Sequence, residues 1–120
     1  MASLFEVTAG KAIGYVSGGA VTQGTSKSTG VTLNQPCGQI TTHDASLAGG
    51  AEVSFVVTNS FVAATDVVVV CVQSGASTGT YIASVSAVAA GSFTATVSNL
   101  GTTAGEALVL NFAVIKAAAA

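Results

Sequence analysis

The chain has 120 residues, a net charge of −2 and only 7% charged side chains, against roughly 25% in an ordinary soluble domain. Its length fits one domain with a single core. Three lysines and no arginine exclude nucleic-acid binding, which needs a basic patch to displace phosphate counterions. The longest apolar run, residues 67–72, is far shorter than the ~20 residues that span a membrane.

The start of the chain carries no secretion signal. MASLFEVTAGK has neither a basic beginning nor an apolar stretch of about 7–15 residues. We therefore expect a protein that is made in a cytoplasm and stays there or leaves inside a larger particle. In such a protein Cys37 and Cys71 are expected to be free thiols, with Cys71 a small core residue, although two cysteines can also form one disulfide.

The many valines and threonines, with fourteen glycines, predict strands rather than helices. In chain order we predict strands at 30–34, 39–42, 51–60, 66–74, 80–88, 92–98 and 107–116. Turn signals separate them, among them Pro36–Cys37–Gly38, and 43–50 could form one helical turn with Asp44 as its N-cap. The spacing predicts an all-β chain: a single antiparallel β-sandwich (jelly-roll-like) or a β-barrel. We expect an N-terminal arm (1–11), the β-domain (12–116) and a short tail (117–120).

The side-chain pattern divides these strands into two kinds. Segment 92–98 alternates cleanly, with Phe93, Ala95 and Val97 on one face, and 51–60 and 80–88 are similar. In 80–88 the apolar face is predicted to contain Tyr81, Ala83, Val85 and Ala87. Segments 66–74 and 107–116 are instead apolar on both faces, as in strands covered on both sides. A neighbouring subunit could supply the second cover.

No catalytic site, metal site or cofactor is predicted. His43, the only histidine, adjoins Asp44 and lies near Ser46, which is typical of a polar turn, and nothing in the sequence activates Cys37 as a nucleophile. The cysteines and carboxylates lack metal-ligand spacing. The run GTSKSTG (24–30) lacks the GKS or GKT ending of a phosphate loop, so Lys27 is expected to face solvent or a neighbouring subunit.

The aromatic residues are few and include no tryptophan. Phe55, Phe93 and Phe112 fall in apolar strands and are expected in the core. Phe5 and Tyr15 lie near the N-terminus and could anchor a partner.

Four stretches of the sequence resemble known proteins. They are GYVSGGAVTQGTSKSTGVTLNQPCGQIT (14–41), VSFVVTNSFVAATDVVVVCVQSG (53–75), AVAAGSF (87–93) and NFAVIK (111–116). Together they resemble a module of tailed-phage and prophage structural proteins, over roughly residues 12–116. Little sequence lies beyond the module, and no fibre shaft is present, so the chain looks most like a small capsid decoration (cement) protein.

The resemblance implies a non-enzymatic virion protein that binds the outer surface of a phage head and bridges major capsid subunits. It also implies a homo-oligomer, with a trimer favoured and a dimer possible, and no nucleic-acid or membrane partner. Similar modules end longer tail or fibre proteins, so recognition of a host receptor or glycan is the alternative. We expect assembly contacts from two groups of residues, although the second could equally be a solvent-exposed loop. These are Leu4, Phe5 and Val7, and Gln23, Thr25, Ser26, Lys27, Ser28 and Thr29.

Overall fold

A computed structural model describes residues 14–117, which form eight strands and no helix. The strands are β1 Ala20–Thr22, β2 Val31–Thr32, β3 Cys37–Thr41, β4 Glu52–Thr58, β5 Val67–Ser74, β6 Tyr81–Ala89, β7 Ser92–Asn99 and β8 Val109–Ile115. The all-β prediction is confirmed. The short strand β1 was not predicted, because its flanking residues are almost all small and polar.

The strands form two four-stranded sheets. Sheet A has the order β1-β3-β8-β5, and sheet B has the order β2-β4-β7-β6. Neither sheet closes on itself, so the barrel alternative is wrong, and the two sheets share one core in a sandwich-like arrangement. The expectation of purely antiparallel pairing is also wrong, since β1 runs parallel to β3 and β2 runs parallel to β4. The chain alternates between the sheets over its first four strands. Each strand therefore returns to its sheet after a crossover through the other one, so β1 and β3, and β2 and β4, run in the same direction.

Apolar side chains from both sheets meet between them. The predicted inner face of β7 is confirmed, since Phe93, Ala95 and Val97 are at most 1% exposed. Phe55 and Phe112 are also buried, and the rings of Phe93 and Phe112 join the two sheets with centroids 5.5 Å apart. Such a tilted aromatic pair adds to the burial of apolar area that stabilises the domain.

A bulge in β6 changes the face on which one predicted core residue lies. Tyr81, Ala83 and Val85 pack against the core as expected. The register with β7 then shifts between Val85 and Ala87, which leaves Ala87 exposed and turns Val88 inward. The prediction for Ala87 is therefore wrong, because an extra residue in one strand inverts the alternation beyond it.

Two local predictions are also wrong. Segment 43–50 forms no helical turn: buried Leu47 pairs with Ala104 in an isolated antiparallel bridge, and Asp44 is exposed rather than capping a helix. Cys37 and Gly38 lie inside β3 rather than in a turn, since they pair with residues of β8, and the chain bends just before them.

The cysteines are free, and Cys71 is not a core residue. Cys71 is exposed because it is in phase with the exposed Val67 and Val69, while Val68 and Val70 point into the core. Cys37 and Cys71 lie on strands that flank β8 on opposite sides and pair with Ala113 and Asn111, so two strand spacings and an offset of two residues place them about 12 Å apart. A disulfide within the chain needs Cα atoms closer than about 7 Å, so this geometry excludes one.

Candidate assembly surface

The buried side chain of Gln23 fixes the conformation of residues 23–29, which are here called the polar loop. The Gln23 side chain is 3% exposed. Its Nε2 donates to the carbonyls of Lys27 and Thr29, at 2.9 Å each, and its Oε1 accepts from the His43 N–H at 2.9 Å. One side chain thus satisfies three backbone groups and ties the polar loop to the end of β3.

Lys27 supports the same loop from inside the molecule. Its residue is 4% exposed, and its ammonium group donates to the carbonyl oxygens of His43 and Glu106, the latter at 2.6 Å. The expectation that Lys27 faces solvent or a neighbour is therefore wrong. A lysine stem can be buried when its charged head finds strong acceptors, and here two main-chain carbonyls supply them.

The charge on Lys27 is only partly compensated. Burial lowers the pKa of Lys27, because desolvation disfavours the ammonium ion, while the negative charges of Asp44 and Glu106 act in the opposite direction.

Within the polar loop Thr25 and Ser28 are exposed, and Ser26 and Thr29 are half-buried and bonded to each other. The loop therefore presents a neutral, hydroxyl-rich surface on a charged internal support.

Glu106 organises the loop between β5 and β6. Its carboxylate accepts from the backbone N–H groups of Ser77, Thr78 and Gly79, the last at 2.6 Å, and from the Tyr81 hydroxyl at 3.1 Å. The bonds from Gly79 and Ser77 lower the pKa of Glu106 to about 2. Burial, with the neighbouring Glu106 carboxylate, raises the pKa of Tyr81. Nothing in the sequence around Glu106 pointed to this role, because its donors lie 25–29 residues upstream.

A second carboxylate, that of Asp66, fixes the chain at the end of the sheets near the C-terminus. The Asp66 side chain is 1% exposed and accepts from the Lys116 ammonium at 2.5 Å, from the Ala63 N–H at 2.8 Å and from the Ala117 N–H at 3.1 Å. Lys116 also donates to the Phe61 carbonyl at 2.6 Å. The hydrogen bond from Lys116, followed by that from the Ala63 N–H, lowers the pKa of Asp66 to about 2.

The outward surfaces of the two sheets differ in chemistry. On sheet B, the hydroxyls of Ser54 and Thr96 lie 2.7 Å apart, and Thr96 donates to Ser86 at 3.1 Å, so a row of hydroxyls crosses β4, β7 and β6. The outer face of sheet A is instead apolar at one end and carries carboxamides at the other. Its outward side chains on β3, β5 and β8 include Val67, Val69, Cys71, Gln73, Cys37, Gln39, Asn111, Ala113 and Ile115.

A shallow groove of about 460 Å³ lies beside this carboxamide end. It is lined by Ser17, Gly18, Gly19, Ala20, Cys37, Gly38, Gln39, Asn111 and Phe112. The preceding segment is tied to the sheet, since the Tyr15 hydroxyl donates to the Val114 carbonyl and the Cys37 thiol donates to the Val16 carbonyl at 3.3 Å. Gly18 is required there, because a Cβ atom at that position would lie 1.6 Å from the Cys37 carbonyl oxygen.

The structure separates the predicted contact residues into four sets, of which one is the half-buried pair Ser26 and Thr29. Leu4, Phe5 and Val7 lie outside the described residues. Gln23 and Lys27 point inward and act as supports. The polar loop's outward positions are Thr25 and Ser28. The two-sided apolar pattern of residues 66–74 and 107–116 pointed to a further surface that a neighbouring subunit could cover, and the structure places exposed side chains of both segments on the outer face of sheet A.

The residues weighed for catalysis are dispersed. His43 follows the end of β3 whereas Cys37 begins it, so the strand separates the thiol from the imidazole. The His43 Nδ1 accepts from the Ala45 N–H at 3.0 Å and lies 3.5 Å from the Asp44 carboxylate. Within residues 14–117, no three side chains of His, Cys, Asp or Glu come together in a metal-binding group.

Comparison of the chain with protein-family models, with curated proteins and with solved structures finds no match in any of the three. In the described part of the chain, no helix is long and apolar enough to cross a membrane.

Proposed function

We propose that this chain is a non-enzymatic structural virion protein, a capsid decoration (cement) protein that binds the outer surface of a phage head. In this proposal it bridges major capsid subunits and stabilises the head. Support comes from the resemblance over roughly residues 12–116, whose longest stretch, 14–41, contains the whole polar loop. The chain would be made in the host cytoplasm and act on the head surface as a homo-oligomer, with a trimer favoured and a dimer possible.

The observation that carries the proposal is the buried support beneath the polar loop. Gln23 bonds two backbone carbonyls within the loop, and three further bonds of Gln23 and Lys27 tie the loop to the backbone of His43 and Glu106. A loop already held in one conformation loses little entropy when it binds, so it suits a contact repeated many times over a particle. Thr25 and Ser28 are the contact residues we assign to the capsid, and Leu4, Phe5 and Val7 stay predicted contacts.

The finer fold assignment, a jelly-roll-like sandwich, belongs to the same proposal. Its support is that the chain passes repeatedly between the two sheets, as it does in double-sheet folds of this kind.

The decisive experiment adds purified protein to expanded phage heads that lack it. We expect saturable binding, visible by cryo-electron microscopy, and heads that withstand higher temperature and chelators. Thr25→Asp with Ser28→Asp should abolish binding, because it places two charges on the contact surface. Thr102→Asp, at an exposed threonine elsewhere, is the matched control and should bind normally. Absence of wild-type binding, or equal binding by both variants, would refute the proposal.

The groove beside β3 favours one second function, recognition of a host receptor or glycan by a tail or fibre. Gln39 and Asn111 place carboxamides at its rim, and such groups donate to and accept from sugar hydroxyls. Under this alternative, labelled protein would appear at the tail in electron micrographs, and Asn111→Leu would remove binding to a glycan that the wild type retains.

A further inference from the structure

We propose that the outer face of sheet A is the surface through which two copies of this chain bind each other. This inference rests on the proposed function, since it says where the subunits of the homo-oligomer meet. It starts from the contrast between the two sheets, because only sheet A leaves apolar side chains in a continuous patch. Val67, Val69 and Ile115 are 55%, 49% and 53% exposed and lie together, since Val67 pairs with Ile115 and Val69 with Ala113.

The chemistry of this face points to a second copy as the occupant. The strands of sheet A contain no charged residue. At its border Asp66 and Lys116 form an ion pair within one chain, with the Asp66 side chain buried and that of Lys116 half-exposed. A charged partner would therefore find no complementary charge, whereas a second copy would meet no repulsion.

The polar end of the face is also self-complementary. Gln39 donates to Gln73 at 2.8 Å, and Asn111, on the strand between them, pairs with Gln39 on one side. Each carboxamide is both donor and acceptor, so it can bond its own copy across a two-fold axis. An isologous interface requires a surface that complements itself, and an apolar end beside a carboxamide end meets that requirement.

The strands supply a second reason for a cover. β5 is an edge strand with four consecutive valines and no lysine or proline; its register shifts after Val72, and β6 of the other sheet lies beside it. The outward valines of such a strand are an aggregation hazard unless something covers them. A two-fold contact between faces covers these side chains and stops at the dimer.

The area sets the expected strength. β3, β8 and β5 together span about 14 Å by about 24 Å, a footprint of at most about 340 Å², part of which is taken at Cys37 by the segment that contains Tyr15 and Val16. A stable interface uses about 800 Å² per partner, so this face supports a weak dimer with a dissociation constant in the micromolar range or above. On a particle that already holds both copies, a weak contact is sufficient. The two-fold arrangement selects the dimer over the trimer.

The test compares two matched valines. Val69 and Val56 are 49% and 48% exposed and lie mid-strand on the outer faces of sheets A and B, respectively. By sedimentation of the full chain over about 5–500 µM, we expect a wild-type dimer, at least a tenfold weaker dimer for Val69→Glu, and no change for Val56→Glu. Circular dichroism checks that both variants fold. A wild type that stays monomeric or forms a trimer, or equal effects of both substitutions, overturns the proposal.

Alkylation of the Cys71 thiol tests whether a second copy covers the face. In a Cys37→Ser background, dimerisation makes alkylation of Cys71 slower as protein concentration rises. A rate that is independent of concentration means that no second copy covers the face, which overturns the proposal. Head binding is measured separately with Val69→Glu. If this variant binds heads although the wild type forms no dimer, only the present inference fails; if wild-type dimers form but bind no heads, only the cement function fails.

Discussion

The Lys27 ammonium donates a 2.6 Å hydrogen bond to the main-chain carbonyl of Glu106, 79 residues further along the chain. Glu106 in turn uses its carboxylate to hold the loop at residues 77–79. The polar loop and the loop between β5 and β6 are therefore connected through one residue. The conformation of the polar loop therefore depends on contacts with residues from distant parts of the chain.

Removing the Lys27 donors should destabilise the domain. Lys27→Met keeps a buried stem of similar length and leaves the carbonyls of His43 and Glu106 without their donor. We expect a loss of about 1–3 kcal/mol in the free energy of unfolding, measured by denaturant titration. Thr25→Ala, at an exposed position of the same loop, should change it by less than about 0.5 kcal/mol. A Lys27→Met variant as stable as the wild type would show that these bonds contribute nothing net.

Glu106 should make stability depend on acidity. Its pKa is about 2 in the folded chain and near 4.5 in an unfolded one, so its contribution is complete above pH 4.5 and is lost as the pH falls from 4.5 towards 2. Glu106→Gln should therefore lower the melting temperature at pH 7 and flatten its decline between pH 4.5 and 2. Glu52→Gln, at an exposed glutamate of β4, is the control and should follow the wild-type curve. Parallel curves for Glu106→Gln and wild type would contradict the prediction.

Asp66 and Lys116 should behave as a coupled pair. The pKa of Asp66 falls from 3.8 to about 2, so its stabilising effect is present above pH 3.8 and disappears towards pH 2. Asp66→Asn and Lys116→Met should each lower the melting temperature at pH 7 by a few degrees. The double variant should lose less than the sum of the two, because the single changes remove the same contact. Additive losses would mean that the 2.5 Å pair carries no coupling.

Gly18 should be needed to keep the first described segment against β3. A Cβ atom there would lie 1.6 Å from the Cys37 carbonyl oxygen and 2.9 Å from the Gln35 Cβ, so Gly18→Ala must displace residues 15–19. The Cys37 thiol then loses its bond to Val16. We expect a loss of about 1–3 kcal/mol in the free energy of unfolding and faster alkylation of Cys37 in a Cys71→Ser background. Gly24→Ala meets nothing within 4 Å and serves as the control. Unchanged alkylation in Gly18→Ala would argue against this packing.

The features that sequence reasoning predicted correctly are local. The alternation of Phe93, Ala95 and Val97 identified one buried face, since neighbouring residues of a strand point to opposite sides. The same rule failed at Ala87, because a bulge inverts the alternation without a distinctive residue to announce it. The alternation rule could not place Cys71, because a strand that is apolar on both faces does not show which face is buried.

By itself, the sequence determined that this is an all-β domain with little charge, and it determined which residues of the alternating strands enter the core up to the bulge in β6. Only the tertiary structure decided that Lys27 is buried, that Glu106 holds a distant loop and that Cys71 faces outward. The physical reason is distance along the chain. Strand alternation is set by adjacent residues, whereas a buried ammonium or carboxylate is satisfied by groups 16–79 residues away, which local composition cannot reveal.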